Sequence, residues 1–240
     1  MRIQKDSFLL TTPIAHRGLH DAALGIPENS YAAYARAAEE GYAIEIDVHL
    51  TADGQIAVFH DGTLRRMTGA PGKIQEKTFR ELSSLRLLDT DERIPLFNEL
   101  LEFIGGKVPL LIEIKDHNPK ELTAKTIEAL QNYRGEFALQ SFDFRCLLRA
   151  KKIAPSLLRG QLGGFSAKFS IPNYIVKHMN MNAFTSPDFI SYNIENLPYR
   201  PARRQGTVLL GWTVRTQAQY DRVKDIVDNV IFENIRPPKK

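Results

Sequence analysis

Two apolar runs of the sequence are interrupted by acidic residues. The first is AIEIDV at residues 43–48, and the second is LLIEIK at residues 110–115. Both have the pattern of buried β-strands that carry charged positions. Because side chains alternate across a strand, Glu45 and Asp47 share one face of the first run, and Glu113 lies on one face of the second. Carboxylates that converge repel one another unless a cation lies between them. Oxygen ligands select a hard ion, so these residues predict one divalent cation, Mg²⁺ or Ca²⁺.

Two histidines stand at the ends of apolar runs, each beside a charged residue. His16 lies in the segment AHRG and His60 in the segment FHD. Histidine titrates near neutral pH, so we expect these two residues to act as catalytic acid and base. Arg17 can hold a phosphate through two hydrogen bonds, and Lys115 offers a point charge. With a divalent cation, these groups and the acids nearly balance a singly charged phosphodiester, which predicts metal-dependent phosphodiester hydrolysis.

Two other interpretations use the same residues. The acids could form a structural ion-pair network with Lys115, Arg17 and Arg65, although acids at several strand ends argue against it. His16 and His60 could instead bind a zinc ion together with a carboxylate. Metal analysis, and activity that Mg²⁺ or Ca²⁺ but not Zn²⁺ restores after chelation, would separate the last interpretation from the first.

Short apolar runs alternate with amphipathic segments along the whole chain, and no linker or repeat divides it. The predicted strands are Thr12–His16, Ala43–Val48, Ile56–His60, Leu110–Ile114, Phe137–Ser141, Leu157–Gln161, Phe189–Tyr192, Val208–Val214 and Val230–Phe232. The predicted helices are Ser30–Glu40, Leu96–Ile104, Lys120–Tyr133, Phe144–Ile153, Ile171–His178 and Gln217–Val227. This alternation predicts a parallel sheet, and in 240 residues it favours a single (β/α)₈ TIM-barrel domain over residues 1–240. Active sites of such barrels lie at the C-terminal ends of the strands, where the acids and histidines fall.

One connection is too short for this pattern. Only a few residues separate the second and third predicted strands, and Asp53-Gly54 is a strong signal for a tight turn. Parallel strands need a connection of about a dozen residues or more, so these two should form an antiparallel hairpin. A turn near Asp53 places residues 46 and 60 opposite each other. His60 should therefore fold back beside Glu45 and Asp47.

Composition excludes several classes of function. The net charge of +4, from 32 Lys and Arg against 28 Asp and Glu, is too small to indicate nucleic-acid binding, which normally shows clustered basic residues. The nearest approach to a cluster is RPPKK at 236–240, which is interpreted as a solvated tail. Cys146 is the only cysteine, which excludes an intrachain disulfide and a cysteine-rich zinc site. No stretch approaches the roughly 18 apolar residues of a membrane span, and no apolar signal segment precedes the first strand. We expect a cytoplasmic enzyme that acts on a small molecule, with no stable membrane insertion, while the sequence does not indicate the oligomeric state.

Short motifs follow one another along most of the chain. They are HRG (16–18), PENS (27–30), EID (45–47), TADG (51–54), HD (60–61), LR (64–65) with Thr68, EIK (113–115), SF (141–142) and WTV (212–214). Any one motif is weak, whereas the whole series in order and at plausible spacing is very specific. From about residue 13 to residue 232 the chain resembles the glycerophosphodiester phosphodiesterase family, whose fold is the phospholipase C-like TIM barrel.

The resemblance implies a function as well as a fold. It implies hydrolysis of glycerophosphodiesters to sn-glycerol 3-phosphate and an alcohol, with the divalent ion on the three acids and the two histidines as the acid/base pair. Glu28 and Asn29, in the loop that begins at Pro27, would support the site, and Trp212 would line the alcohol side of the pocket. The related phosphatidylinositol phospholipases suggest His16 as the base and His60 as the acid. The residues alone leave open that assignment, the choice of ion, the alcohol and direct attack by water.

This chain departs from the family pattern at three places. Phe232-Glu233 stands where relatives usually end the last strand with Thr-Asp, and Arg215 stands where they often carry Asn. The segment PLFNE at 95–99 replaces the Pro-Thr-Leu-x-Glu that commonly opens a helix. The first two departures concern the preference for the alcohol.

Two rival functions are a lysophospholipase D or phospholipase C-like activity on a lipid, which needs an apolar rim, and a non-catalytic barrel, which should have lost one of the site residues.

Overall fold

Parallel strands alternate with helices along the chain. The structure is a computed structural model that describes residues 3–115, 118–165, 171–203 and 207–239. The strands in these residues are β1 (Ile14–Ala15), β2 (Ala43–Leu50), β3 (Ile56–Val58), β4 (Leu110–Ile114), β5 (Phe137–Ser141), β6 (Arg159–Gly163), β7 (Phe189–Asn193), β8 (Val208–Val214) and β9 (Asn229–Phe232). The helices are α1 (Phe8–Thr11), α2 (Tyr31–Glu39), α3 (Arg65–Thr68), α4 (Phe79–Leu82), α5 (Phe97–Ile104), α6 (Pro119–Ala129), α7 (Phe144–Ile153), α8 (Ile171–His178), α9 (Asn182–Thr185) and α10 (Gln217–Val223).

The sheet closes on itself. Strands β4 to β9 pair in parallel with their neighbours, β4 pairs with β2, and β1 pairs with both β2 and β9. Leaving out β3, which is antiparallel, this closes a barrel of eight parallel strands. The predicted TIM barrel is therefore confirmed. That residues 1–240 form one domain stays a prediction.

The inner face of the barrel changes from apolar to acidic along the strands. In β2 this face carries Ala43, Glu45 and Asp47, and in β4 it carries Leu111 and Glu113, with Asp47 directly beside Glu113 in the register. Ala43 and Leu111 belong to an apolar cluster that fills the N-terminal end of the barrel, where α1 contributes side chains. The alternate residues of both strands pack outward against the helices. The acids consequently lie at the C-terminal end, as the strand pattern predicts.

Strands β2 and β3 form the predicted hairpin. Val48 pairs with Val58, and the Phe59 N–H donates to the Asp47 carbonyl at 2.9 Å. This register places residue 60 opposite residue 46, as counting from the Asp53-Gly54 turn predicts. The turn works because Gly54 has a φ of +75°, which favours glycine. The hairpin prediction is confirmed, and β2 runs two residues beyond its predicted end.

The segment between β3 and α5 folds onto a small apolar cluster of its own. The buried residues of this cluster are Ala57, Phe59, Leu64, Met67, Ile74, Leu82, Leu87 and Ile94. Short helices α3 and α4 lie in this segment, and neither was predicted, because each is only four residues long. The cluster holds the chain that follows β3 against the rim of the barrel.

Element boundaries differ from the prediction mainly at the ends. The first strand is Ile14–Ala15 only, so His16 lies just beyond it, and β6 begins at Arg159 rather than at Leu157. Helix α2 agrees well: Ser30 accepts the Ala33 N–H at 3.2 Å as its N-cap. In the described residues between β7 and β8, the chain forms 3₁₀ turns instead of an α-helix. None of the helices in the described part of the chain has the length and apolar character needed to cross a membrane.

Candidate active site

Three buried carboxylates converge at the C-terminal mouth of the barrel. Glu45, Asp47 and Glu113 each offer an oxygen, and these oxygens lie within 4.8 Å of one another. Burial, and then repulsion from the other two acids, raises the pKa of Glu45 well above its usual range. Burial also raises the pKa of Glu113, although Lys115 opposes the rise. The pKa of Asp47 is lowered despite its burial, because cations and histidines surround it, above all Lys115.

This carboxylate set fits a hard divalent cation. All of its ligand atoms are oxygens, which is the donor chemistry of Mg²⁺ and Ca²⁺. Glu45 Oε1 is buried and has no hydrogen-bond partner among the described residues. A buried carboxylate oxygen without a partner is costly in a folded protein unless a cation or a proton satisfies it. The predicted ligand trio is thus brought together in a form suited to one ion.

Lys115 lies against the same acids. Its Nζ is 2.6 Å from Glu113 Oε1 and 2.7 Å from Asp47 Oδ1. These two ion pairs raise the pKa of the lysine in spite of its burial, so the residue stays charged. The structure therefore places Lys115 against two of the three acids of the site. Its predicted contact with a substrate phosphate stays a prediction.

The turn after β1 aims Arg17 at the acids. Its backbone is left-handed, with φ of +56°, and its N–H donates to Glu45 Oε2 at 3.1 Å. Its side chain places Nε 3.5 Å from Asp47 Oδ2 and donates through a terminal nitrogen to Glu28 at 2.8 Å. Gly18 follows at φ of +82°, and a Cβ there would lie 2.9 Å from the Ala33 backbone. Glycine at position 18 is therefore needed to make this turn.

Asn29 connects the same loop to the acids. Its Nδ2 donates to Asp47 Oδ2 at 3.0 Å, and the buried Tyr34 hydroxyl donates to its Oδ1 at 2.7 Å. Asn29 has a φ of +52°, a left-handed conformation that Asn adopts more readily than most residues. The structure thus brings the two residues predicted to support the site, Glu28 and Asn29, into contact with its charged groups.

His16 is held between two carboxylates. Its Nδ1 lies 2.5 Å from Glu233 Oε1, and its Nε2 lies 3.9 Å from Glu45 Oε2. Burial is the largest effect on this imidazole and lowers its pKa, while the Glu233 bond opposes that shift. The Glu233 carboxylate can only accept, so His16 Nδ1 carries the proton and Nε2 faces the acids. Arg215 donates to the other Glu233 oxygen at 2.7 Å and fixes the carboxylate in turn.

His60 follows the hairpin strand and is more exposed. Its Nδ1 lies 2.7 Å from Asp61 Oδ1, and a third of its side chain is accessible to solvent. Burial lowers its pKa, and Asp47 is the strongest effect in the other direction. The buried His49 donates through Nε2 to the His60 carbonyl at 3.2 Å. As for His16, the neighbouring carboxylate holds the Nδ1 proton and leaves Nε2 for chemistry.

Four residues that contact the site have no role predicted from the sequence: His49, Asp61, Arg66 and Glu233. The sequence does not predict which way His49 faces, because that depends on how far β2 extends, and β2 includes this residue. Asp61 was visible in the HD motif but was given no role. Glu233 was noted only as a departure from the family pattern. Arg65 was named as a possible ion-pair partner, but it is the neighbouring Arg66 that pairs with site acids.

Trp212 lies on β8 and is partly buried. Its Nε1 donates to the Ser191 carbonyl at 3.0 Å, and its ring meets Phe142 edge-on with centroids 5.6 Å apart. Phe142 follows β5 at the C-terminal side of the barrel, so both aromatic rings belong to the face that carries the acids. Contact between Trp212 and the alcohol of a substrate stays a prediction.

Replacing Glu233 with glutamine should lower kcat by about 10- to 100-fold. A hydrogen bond to a charged group contributes about 1.5–3 kcal/mol, and the amide can no longer select the His16 tautomer through an acceptor-only contact. Steady-state kinetics of the purified variant would measure the change. Glu195→Gln, at an exposed residue of the neighbouring 3₁₀ turn, is the control and should retain wild-type kcat. Wild-type kcat in Glu233→Gln would contradict the expectation.

A parallel barrel with three buried carboxylates and two histidines at its C-terminal mouth is the arrangement expected of a phosphodiester hydrolase. Residues 16–236 match the model of the glycerophosphoryl diester phosphodiesterase family. A glycerophosphodiester phosphodiesterase of Caldanaerobacter subterraneus subsp. tengcongensis is 33% identical over 237 residues, covering 93% of this chain and 94% of that protein. The chain belongs to the glycerophosphoryl diester phosphodiesterase family.

Solved structures share the fold of this chain. A phosphodiesterase of Oleispira antarctica in complex with the product sn-glycerol 3-phosphate superposes with a TM-score of 0.79 at 24% identity, covering 93% of each chain. A glycerophosphodiester phosphodiesterase of Thermotoga maritima superposes with a TM-score of 0.72 at 25% identity, covering 92% of this chain and 94% of that one. The predicted fold, family and class of enzyme, a hydrolase of glycerophosphodiesters, are confirmed.

Proposed function

We propose that this enzyme hydrolyses glycerophosphodiesters to sn-glycerol 3-phosphate and an alcohol at the mouth of the barrel, with one divalent cation on Glu45, Asp47 and Glu113. The observation that carries the proposal is the convergence of these buried carboxylates, within 4.8 Å, beside His16. When bound, Mg²⁺ or Ca²⁺ would polarise a phosphoryl oxygen and acidify a nearby hydroxyl. Arg17 and Lys115 supply the positive charge that holds the phosphate.

The two histidines divide the proton transfers. The glycerol hydroxyl oxygen attacks phosphorus and gives its proton to His16 Nε2, while the bond between phosphorus and the alcohol oxygen breaks. His60 begins as the imidazolium, with protons on both ring nitrogens, and donates its Nε2 proton to that departing oxygen. Water then opens the cyclic glycerol phosphate: it gives one proton to His60, and His16 returns its proton to the glycerol oxygen. Both imidazoles end as they began, and both are oriented for this by carboxylates on Nδ1.

The more exposed position of His60 supports its assignment as the acid. A leaving alcohol of variable size must depart toward solvent, and His60 is the more accessible of the two histidines. His16 lies deeper, 3.9 Å from Glu45, where the glycerol end of the substrate would be enclosed. Trp212 lines the alcohol side in this proposal, and Glu28 and Asn29 support Arg17 and Asp47.

Chelation should abolish this activity, and Mg²⁺ or Ca²⁺ should restore it. The carboxylate-only ligand set favours hard ions over zinc, so Zn²⁺ should restore little. The assay would follow release of sn-glycerol 3-phosphate from a glycerophosphodiester after EDTA treatment and addition of each ion. Full activity in EDTA, or restoration by Zn²⁺ alone, would refute the proposed site. Metal content of the purified protein provides an independent measurement.

A further inference from the structure

Arg66 lies outside the predicted site, yet its guanidinium contacts two of the acids beside it. Nε donates to Asp61 Oδ2 at 2.6 Å, and one terminal nitrogen donates to Asp61 Oδ1 at 3.0 Å and to Glu28 Oε1 at 2.6 Å. The other terminal nitrogen donates to Glu28 Oε2 at 2.9 Å and to the Met67 sulfur at 3.1 Å. The guanidinium is therefore bidentate to both carboxylates, which is the strongest geometry for such a pair.

The same two carboxylates also contact the proposed phosphate-binding arginine and one of the two proposed catalytic histidines. Glu28 Oε1, which accepts from Arg66, also accepts from Arg17 at 2.8 Å. Asp61 Oδ1, which accepts from the same terminal nitrogen of Arg66, is the atom 2.7 Å from His60 Nδ1. A continuous chain of charged hydrogen bonds thus runs from Arg17 through Arg66 to His60.

This bonding leaves Arg66 unsuited to bind substrate. A guanidinium has about five N–H donors, and each of those of Arg66 has a partner in the contacts above. Its charge is also matched by two carboxylates, whose pKa values are lowered even though burial opposes the shift, in Asp61 to about 2. Half of its side chain is exposed, and ion pairs at the surface are usually weak. Bidentate contacts between arginine and carboxylate are the exception, and Arg66 makes two of them.

The bridge spans two segments that no regular element joins. Glu28 belongs to the loop between β1 and α2, and Asp61 follows β3, so the carboxylates that Arg66 joins come from loops far apart in the sequence. Arg66 itself lies in α3, which Met67 anchors in the apolar cluster next to the barrel. A rigid support for Arg66 lets it fix one loop relative to the other.

We propose that Arg66 is a positioning residue that sets the distance between Arg17 and His60 by holding Glu28 and Asp61 together. The inference rests on the proposed function, since it assumes that Arg17 holds the phosphate and His60 protonates the leaving alcohol. Misplacement of a reacting group by about 1 Å can cost on the order of 100-fold in rate. Arg66 therefore contributes to both substrate binding and protonation without touching the substrate.

The test compares Arg66→Ala, Arg66→Lys and Arg65→Ala on two glycerophosphodiesters, one with an alkyl alcohol and one with p-nitrophenol as leaving group. Arg66→Ala should raise KM about tenfold on both and lower kcat by on the order of 100-fold on the alkyl ester only. Arg66→Lys keeps the positive charge but cannot make bidentate contacts, so it should show most of the loss of kcat seen in Arg66→Ala. Arg65→Ala removes an exposed arginine of the same helix and should match wild type.

Further variants separate positioning from stability and from direct binding. Asp61→Asn and Arg66→Ala act through one chain of bonds, so their combined loss of kcat should be smaller than the product of the single losses. A lower Tm with unchanged KM, kcat and leaving-group dependence would overturn the inference. Equal losses of kcat on both esters in Arg66→Ala would also overturn it. So would wild-type values of KM and kcat in Arg66→Lys. In each of these cases an active wild-type enzyme leaves the proposed function standing, whereas an inactive wild type refutes both.

Discussion

Replacing Glu45 with glutamine is expected to lower kcat/KM by about 1,000-fold without lowering Tm. The change removes one negative ligand and keeps the size of the side chain. A metal ion acting on a phosphoryl oxygen contributes several kcal/mol to the transition state, and about 1.4 kcal/mol corresponds to tenfold in rate. The glutamine oxygen can still accept the Arg17 N–H that now binds Glu45 Oε2, so the loop after β1 should keep its place.

The stability of this variant follows from the cost of the native carboxylate. Glu45 is buried beside two other acids, and this raises its pKa, which means that folding disfavours its charged form at neutral pH. An amide avoids that cost, so Tm measured in EDTA should be equal to or above that of the wild type. Sites that must bind a charged ligand commonly reduce stability in this way.

The measurements are steady-state kinetics at saturating Mg²⁺ or Ca²⁺, calorimetric metal affinity, and thermal unfolding in EDTA. Glu99→Gln makes the same chemical change on the exposed face of α5 and serves as the matched control. It should retain kcat/KM within about twofold, as expected for a surface substitution away from the site. Metal-dependent activity within tenfold of wild type in Glu45→Gln would rule out Glu45 as a ligand.

The positions of the three acids could be predicted because the sequence shows that they lie within apolar strands of a barrel. A charged residue within an apolar strand of a barrel has only the open end to face, and alternation then assigns Glu45, Asp47 and Glu113 to one face. His60 was predictable because the position of a tight turn fixes the register of a hairpin, and the observed pairing of Val48 with Val58 agrees with that count. Both arguments use only short-range geometry.

Glu233 and Arg66 could not be predicted in the same way. Glu233 reaches His16 only because β9 pairs with β1 when the barrel closes, and the sequence separates the two residues by 217 positions. Sequence pattern gives the order of the strands but not which side chain beyond the last strand meets which loop. Arg66 lies in a helix of four residues, too short for periodicity to show which way a side chain points. Side-chain contacts between loops that are distant in the sequence depend on how the whole barrel closes, which sequence pattern does not specify.

Replacing His60 with alanine is expected to separate substrates by their leaving group. A general acid contributes about 100- to 10,000-fold when the departing alkoxide is strongly basic. An alkyl ester of glycerol phosphate should lose that much in kcat, whereas a p-nitrophenyl ester, whose leaving group needs no proton, should lose about tenfold or less. His16→Ala should reduce both alike, because the attacking hydroxyl is the same in both substrates.

The ratio of the two kcat values is the quantity to measure, since it cancels losses caused by altered folding or altered metal content. His178→Ala is a suitable control, because this imidazole is held by the Tyr199 hydroxyl at 2.7 Å and belongs to α8, outside the carboxylate site. It should leave the ratio unchanged. Equal losses on both esters in His60→Ala would remove His60 as the acid. A leaving-group effect in His16→Ala instead would exchange the two roles, with Glu233 rather than Asp61 then orienting the acid.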